Sequence, residues 1–86
     1  MQDDDRLYPS PRNAVRPPYG KDRKEGHSRR YLVLCRLVWP TRIEIRPAWV
    51  EWTSSDRALV VWTPHAGGRE RRTWLMKEDV RPRLVY

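Results

Sequence analysis

The amino-acid sequence predicts an all-β protein with one small five-stranded domain preceded by an extended N-terminal arm. Two observations predict this fold class. Apolar residues number six in residues 1–30 and twenty-seven in residues 31–86, so only the second segment can build a core. In that segment, runs rich in β-branched and aromatic residues alternate with turn signals, and no run has the apolar spacing of a long helix. We therefore predict an arm over residues 1–30 and a domain over residues 31–86.

Residues 1–30 have the composition of an arm and not of a packed domain. They contain four prolines, two glycines and a dense mixture of charges, with neither helical nor strand periodicity. The proline-rich part favours extended polyproline II geometry. We expect this Arg/Pro-rich arm to be extended or disordered by itself, and to become ordered by contact with something else.

The first half of the domain is predicted to contain one full strand over residues 31–39, followed over residues 42–46 by a half-buried strand or strand extension. Residues 31–39 are mostly apolar and rich in β-branched side chains. Residues 42–46 alternate strictly, with Ile43 and Ile45 on one face and three charges on the other, which is typical of a half-buried strand. Pro47 lacks an N–H group and is expected to interrupt this strand.

The second half of the domain is predicted to contain hairpins and a short last strand. Small polar residues and paired glycines mark its turns, because they tolerate the backbone angles that tight turns require. The predicted elements, in chain order, are strands 48–53 and 58–63 around the turn 54–57, a strand over 71–76 after Gly67 and Gly68, one helical turn over 77–80 and a last strand over 81–86.

This layout resembles the SH3-like small barrels, including Tudor and KOW-type modules. The shared features are five short strands, an irregular connection after the first (residues 40–47), two hairpins and a single turn before a short final strand. The resemblance implies a small five-stranded barrel over residues 31–86. It does not extend to proline-peptide recognition, because residues 31–35 lack the Ala-Leu-Tyr-Asp-Tyr stretch of peptide-binding SH3 domains. The short Arg- and Trp-rich chain is also similar to small proteins of phages that infect GC-rich actinobacteria.

Charge and cysteine content restrict the class of protein further. The net charge is +7, and most of the 18 cationic residues are arginines, which suit phosphates, carboxylates and aromatic faces. Cys35 is the only cysteine, which excludes an intramolecular disulfide. No apolar run reaches the length of a membrane span and no signal peptide is apparent. We expect a cytoplasmic protein, in a host cytoplasm or in a phage particle assembled there.

Catalysis and metal binding find no support in the residue pattern. Cys35 lies in an apolar run, which favours a small buried thiol over a nucleophile. Ser54, Asp56 and His65 fall in predicted turns without a nucleophile elbow. Because spaced His, Cys or carboxylate ligands are also lacking, we predict that the protein is not an enzyme, has no cofactor or metal, and takes no small-molecule substrate.

Clustered arginines and a tryptophan are the candidate binding residues. Arg69 and Arg71 would share one strand face, and Arg81 and Arg83 another, so neighbouring strands would combine them into one positive patch. The alternative is a solvated rim that Glu70, Glu78 and Asp79 balance, and the sequence does not decide between the two. The candidates are Arg29, Arg30, Trp49, Arg69, Arg71, Arg72, Arg81 and Arg83.

Two functions remain as hypotheses. The first is a non-enzymatic interaction module that docks on a larger protein or nucleoprotein assembly through its barrel and arm, as a virion component or host-binding phage protein would. The second is direct RNA or DNA binding through the arginine patch and an exposed tryptophan. A homo-oligomer is compatible with the first hypothesis, because a domain of this size has a marginal core.

Overall fold

Five antiparallel strands form the fold, which confirms the all-β prediction. The computed structural model describes residues 10–19, 25–65 and 67–82. Within those ranges, the helical structure is limited to the short 3-10 helix Lys77–Asp79. The strands are β1 Glu25–Val38, β2 Ile43–Thr53, β3 Arg57–Trp62, β4 Arg71–Met76 and β5 Val80–Pro82.

Strand β1 begins earlier than the apolar pattern indicates, because Glu25 and Gly26 already pair with the end of β2. Backbone pairing does not require apolar side chains, so composition alone does not mark this extension. Gly26 also has a steric role, since a Cβ atom there would lie 3.0 Å from the ring of Trp52. The division of the chain at residue 30 remains a prediction.

Strand β2 passes through Pro47 without a break, whereas the sequence predicted two separate strands. Pro47 pairs with Leu34 of β1. On the other side, β2 pairs with β3 only from Thr53 to Trp49, so within the described residues Pro47 has a strand partner in β1 and none in β3. The missing N–H therefore interrupts no β2–β3 bond. The predicted irregular connection over residues 40–47 is instead a tight turn, closed by the hydrogen bond from the N–H of Trp39 to the carbonyl oxygen of Arg42, and residues 43–47 already belong to β2.

The sheet has the order β4-β3-β2-β1-β5 and is not closed. Its two outermost strands, β4 and β5, do not pair with each other over the residues that the structure describes. Each of β1, β2 and β3 pairs with the next strand in the chain, and β5 returns to pair with residues 33–35 of β1. The structure thus establishes a five-stranded antiparallel sheet, which is a coarser result than a closed barrel.

The core covers one face of this sheet, which we call the inner face. Alternate residues of β1, β2 and β3 supply most of it, as the period of two requires. The buried cluster consists of Val33, Cys35, Leu37, Trp39, Ala48, Val50, Ala58, Val60, Trp62 and Leu75, with Val80 packed against it. The polar turn before β3 is also buried at Ser54, whose hydroxyl accepts a hydrogen bond from the backbone N–H of Arg57 at 3.1 Å.

Residues 10–19 lie across the open side of the sheet. The backbone N–H of Arg12 donates to the carbonyl oxygen of Val38 in β1, and that of Val15 donates to the carbonyl oxygen of Trp74 in β4. Pro11 and Pro18 are buried. The sequence led us to expect that the arm gains order from contact with something else, and for this segment the contacts are with the sheet of the same chain.

Candidate interaction surfaces

The face of the sheet opposite the core, the outer face, carries a row of exposed apolar side chains on β2. Ile43, Ile45, Pro47 and Trp49 are alternate residues of one strand and therefore point the same way, and we call them the apolar strip. Ile43 is 59% exposed, Ile45 61% and Trp49 41%. Monomeric proteins rarely leave contiguous apolar patches in water without a function. The apolar strip is therefore a candidate binding surface.

Neighbouring strands extend the apolar strip on both sides. Leu32 and Leu34 of β1 pair with Trp49 and Pro47 and are half-buried, while Val61 of β3 pairs with Trp49 and is buried. A depression of about 200 Å³ lies beside Trp49, lined also by Pro47 and Val61. A partner side chain can thus be received next to the exposed indole.

The alternation of residues 42–46 predicted a half-buried strand, and the orientation that the structure gives it differs from the usual one. Ile43 and Ile45 face water, whereas Glu44 and Arg46 point to the inner face and are half-buried. The reason is the continuity of β2, because Ala48 and Val50 occupy the core and fix every even-numbered residue before them on the inner face.

Four of the charged residues on the outer face form one cluster. Arg30 lies 2.7 Å from Glu51 and 3.2 Å from Glu70. Arg72 lies 2.9 Å from Glu51 and 3.7 Å from Glu70. The hydrogen bond from Arg72, opposed by desolvation and helped by the hydrogen bond from Arg30, lowers the pKa of Glu51. Two guanidinium groups and two carboxylates make this cluster formally neutral.

The other predicted binding arginines are distributed over different parts of the sheet. Arg71 stands over the ring of Trp62 on the inner face, and Arg69 is exposed in the connection before β4. Arg81 lies on β5, which is separated from β4 by three strands. Of Arg29 only the backbone, within β1, is described, and Arg83 lies outside the described residues. The binding role of these residues remains a prediction.

A cleft at one end of the core brings together aromatic and cationic side chains that the sequence did not associate. The rings of Trp39 and Trp62 meet edge to face, with centroids 6.0 Å apart. Three guanidinium groups lie close to these rings: Arg42 is 6.0 Å from Trp39, while Arg46 and Arg71 are 5.7 and 5.4 Å from Trp62. The cleft has a volume of about 160 Å³. We call it the tryptophan cleft, and its lining residues are Trp39, Arg42, Glu44, Arg46, Trp62, Pro64, His65 and Arg71.

Glu44 is the carboxylate of this cleft. Its oxygens accept hydrogen bonds from Arg46 at 2.6 Å and from the indole N–H of Trp39 at 3.0 Å. Desolvation raises the pKa of Glu44, but these hydrogen bonds and the charges of Arg46 and Arg42 outweigh it, so the pKa is lowered overall. Arg46 also donates to the carbonyl oxygen of Thr63 at 2.6 Å, which fixes the guanidinium between β2 and the end of β3.

Outside the tryptophan cleft, the described residues offer few side chains that could bind a metal or act as a nucleophile. No group of three or more His, Cys, Asp or Glu residues that could hold a metal ion occurs in the described part of the chain. Cys35 is fully buried, and desolvation is the main cause that raises the pKa of its thiol to about 11. Among residues 10–19, 25–65 and 67–82, no helix has both the length and the apolarity needed to cross a membrane.

Comparison of the chain with protein-family models, with curated proteins and with solved structures finds no match.

Proposed function

We propose that this chain is a non-enzymatic interaction module that docks on a larger protein assembly through the outer face of its sheet. The observation that carries the proposal is the apolar strip. Isoleucine and tryptophan side chains stay 41 to 61% exposed there, although the same strand buries Ala48 and Val50 on its other face. An exposed tryptophan next to a depression has the form of an interface anchor.

The charge around the apolar strip specifies the chemistry of the partner. Arg36, which also forms an ion pair with Asp79 at 3.2 Å, pairs with Ile45 across the strands, and Arg81 pairs with Leu34, so both guanidinium groups border the apolar residues. The chain carries a net charge of +7. A protein surface with an apolar centre and an acidic rim fits this face. A second copy of the chain fits less well, because two faces bordered by cations would meet.

The SH3-like layout, the phage setting and the cytoplasmic setting that the sequence predicts remain part of this proposal. The 3-10 helix before a short last strand, together with the sheet order, supports an SH3-like layout. The open sheet and the tight turn after β1 depart from that layout. We keep the phage assembly, and a cytoplasmic setting with a reduced Cys35, as the biological context in which such a module would act.

The experiment is a capture from cells that produce the protein, followed by binding measurements with purified components. Trp49→Ser and Ile45→Ser remove side chains from the apolar strip, and Tyr19→Ser removes a 74% exposed aromatic side chain outside it. Ile45 and Tyr19 are mostly exposed, so the unfolding free energies of their variants should stay within ~0.5 kcal/mol of the wild type, whereas Trp49 is more than half covered and Trp49→Ser should cost about 1–2 kcal/mol. We expect one protein to be retained by the wild type and by Tyr19→Ser and lost by the two strip variants.

The captured protein is then purified and its affinity measured by calorimetry. Loss of an interface anchor costs ~2 kcal/mol or more, so Trp49→Ser should weaken binding at least tenfold. Equal affinity of Trp49→Ser and Tyr19→Ser would refute docking through the outer face. If the purified chain forms a dimer and Ile45→Ser dissociates it, the partner of the outer face is a second copy of the chain and not an acidic protein.

Direct nucleic-acid binding is the second candidate function, and the exposure of Trp49 favours it because an exposed indole can stack on a base. Against it, Arg30 and Arg72 already contact Glu51 and Glu70. Phosphate contacts release counterions, so binding to a single-stranded oligonucleotide would fall steeply between 50 and 200 mM salt, as a rough guide. A gel-shift titration at both concentrations decides, and no shift at low salt excludes this function.

A further inference from the structure

The tryptophan cleft has the composition of a binding site that is separate from the outer face. It lies at the end of the core, between the turn that follows β1 and the connection that follows β3. Two parts of the chain that are distant in sequence therefore build it together. Its volume of about 160 Å³ corresponds to roughly five water molecules at ~30 Å³ each, which is room for one side chain of a partner.

The electrostatics of the cleft favour an anion. Three arginines and a single glutamate line it, which gives a formal charge of +2 with His65 neutral. The aromatic faces already have guanidinium groups beside them at 5.4 to 6.0 Å, so a cationic ligand would have to displace one of these groups. An anion meets no such obstacle.

The geometry of Glu44 shows which anion the cleft accommodates. Its planar carboxylate is held by the guanidinium of Arg46 and by the indole N–H of Trp39. Arg42 approaches the same carboxylate only at 4.0 Å, at the outer limit of an ion pair, and its side chain is 50% exposed. A guanidinium group carries five N–H donors and can bind more than one acceptor at a time.

We propose that the tryptophan cleft binds a carboxylate group of an acidic peptide, held by Arg42 and Arg71. Arg46 and Glu44 form the floor, where their mutual hydrogen bonds fix the cleft. The fork of a guanidinium group can bind a carboxylate through two parallel hydrogen bonds. Trp62 also lines the depression beside Trp49, but no residue of the apolar strip or of the charge cluster lines the cleft, so the two proposals can be tested separately.

The test is a titration of the ¹⁵N-labelled full chain with glutarate, a dicarboxylate that mimics an acidic side chain. Each tryptophan has one indole N–H signal, so the five residues report separately. We expect saturable shifts of the Trp39 and Trp62 signals, while Trp49 and Trp52 on the outer face act as internal references. Arg42→Gln and Arg71→Gln should each weaken glutarate binding at least fivefold.

Arg81→Gln is the matched control, because it removes the same charge from β5, outside the cleft. It should change the glutarate affinity less than twofold. Equal shifts of all five indole signals, or equal weakening by Arg81→Gln and Arg71→Gln, would mean general charge attraction and would overturn the proposal. Tighter binding of inorganic phosphate than of glutarate would overturn the assignment to a carboxylate.

Discussion

Cys35 illustrates how burial decides the chemistry of a residue. Its side chain is fully buried in the core, and desolvation is the largest influence on its thiol, whose pKa rises to about 11. A thiolate is the reactive form, and at neutral pH a thiol with that pKa supplies almost none of it.

We therefore expect a thiol reagent such as Ellman's reagent to leave the native protein unmodified at pH 7.5. In denaturant the same sample should react with one equivalent within minutes. Absorbance of the released thiolate measures both. Rapid stoichiometric reaction of the native chain would contradict the burial of Cys35.

Glu44 gives the protein a pH-dependent contribution to stability. Its pKa in the folded state lies below the usual value of 4.5, so the folded state favours the charged form. This contribution is complete above pH 4.5 and is lost as the pH falls through the lower folded pKa. Glu51 acts in the same direction, because Arg72 and Arg30 hold its carboxylate.

The prediction concerns the unfolding free energy of Glu44→Gln at pH 7 and at about pH 3. The wild type should lose more stability between these values than the variant does, because the variant has no carboxylate to protonate at this position. Urea unfolding followed by tryptophan fluorescence measures the difference. Glu78→Gln, at an exposed site in the 3-10 helix, is the control. The same pH dependence in both variants would argue against the role of Glu44.

At the scale of elements, β2 shows what could be predicted from the sequence and what could not. The strand character of residues 42–53 follows from alternation and composition. Because Pro47 was expected to end a strand, the sequence did not predict that β2 is continuous. For the same reason it did not predict which face of the sheet Ile43 and Ile45 occupy. Counting in twos back from Ala48 and Val50 would have placed both isoleucines on the side of Trp49. Whether that side is exposed depends on tertiary packing, which no local pattern contains.

The segment of residues 10–19 is a second element whose partners are distant in sequence. Asn13 is its principal polar contact. The side-chain oxygen of Asn13 accepts from the N–H of Val38 at 3.0 Å, and its nitrogen donates to the carbonyl oxygen of Arg36 at 2.7 Å and to Asp79 at 3.1 Å. The side chain of Asn13 thus bonds to the backbone of Arg36 and Val38, which follow the residues of β1 that pair with β5.

We expect Asn13→Ala to lower the unfolding free energy by about 1–3 kcal/mol, because it removes these hydrogen bonds and leaves part-buried backbone groups of β1 without a partner. Arg12→Ala is the matched control, since Arg12 is exposed and its hydrogen bond to Val38 uses only the backbone nitrogen. The control should stay within ~0.5 kcal/mol of the wild type. Chemical denaturation measures the unfolding free energies of both variants. An equal loss of stability in the two would show that the side chain of Asn13 has no particular role.

At the scale of the whole molecule, residues 10–19 connect two parts of the sheet that do not pair with each other. Arg12 bonds to Val38 in β1, and Val15 bonds to Trp74 in β4. The sequence predicted the number of strands and the position of the 3-10 helix, because both are local properties. It could not predict this connection, because the donors and acceptors are backbone groups that every residue has.

The connection predicts coupled hydrogen exchange. Asn13→Ala should accelerate exchange of the Val38 amide, which loses its acceptor, and also that of the Val15 amide on the far side of the opening, by at least tenfold in each case. The Val60 amide in the buried centre of β3 should accelerate only by the factor that the loss of global stability sets, and chemical denaturation measures that loss. Exchange followed by NMR measures all three rates. An unaffected Val15 amide would mean that the two ends of the segment open separately.

The bond between Val15 and Trp74 also sets an order of events during synthesis on the ribosome. Strands β1, β2 and β3 can assemble as hairpins while translation continues, since each pairs with its predecessor. Residues near Val15 precede the five described strands in the chain, yet their partner in β4 follows three of those strands. This segment is thus among the last to settle, and until then an open side of the newborn domain is accessible to chaperones.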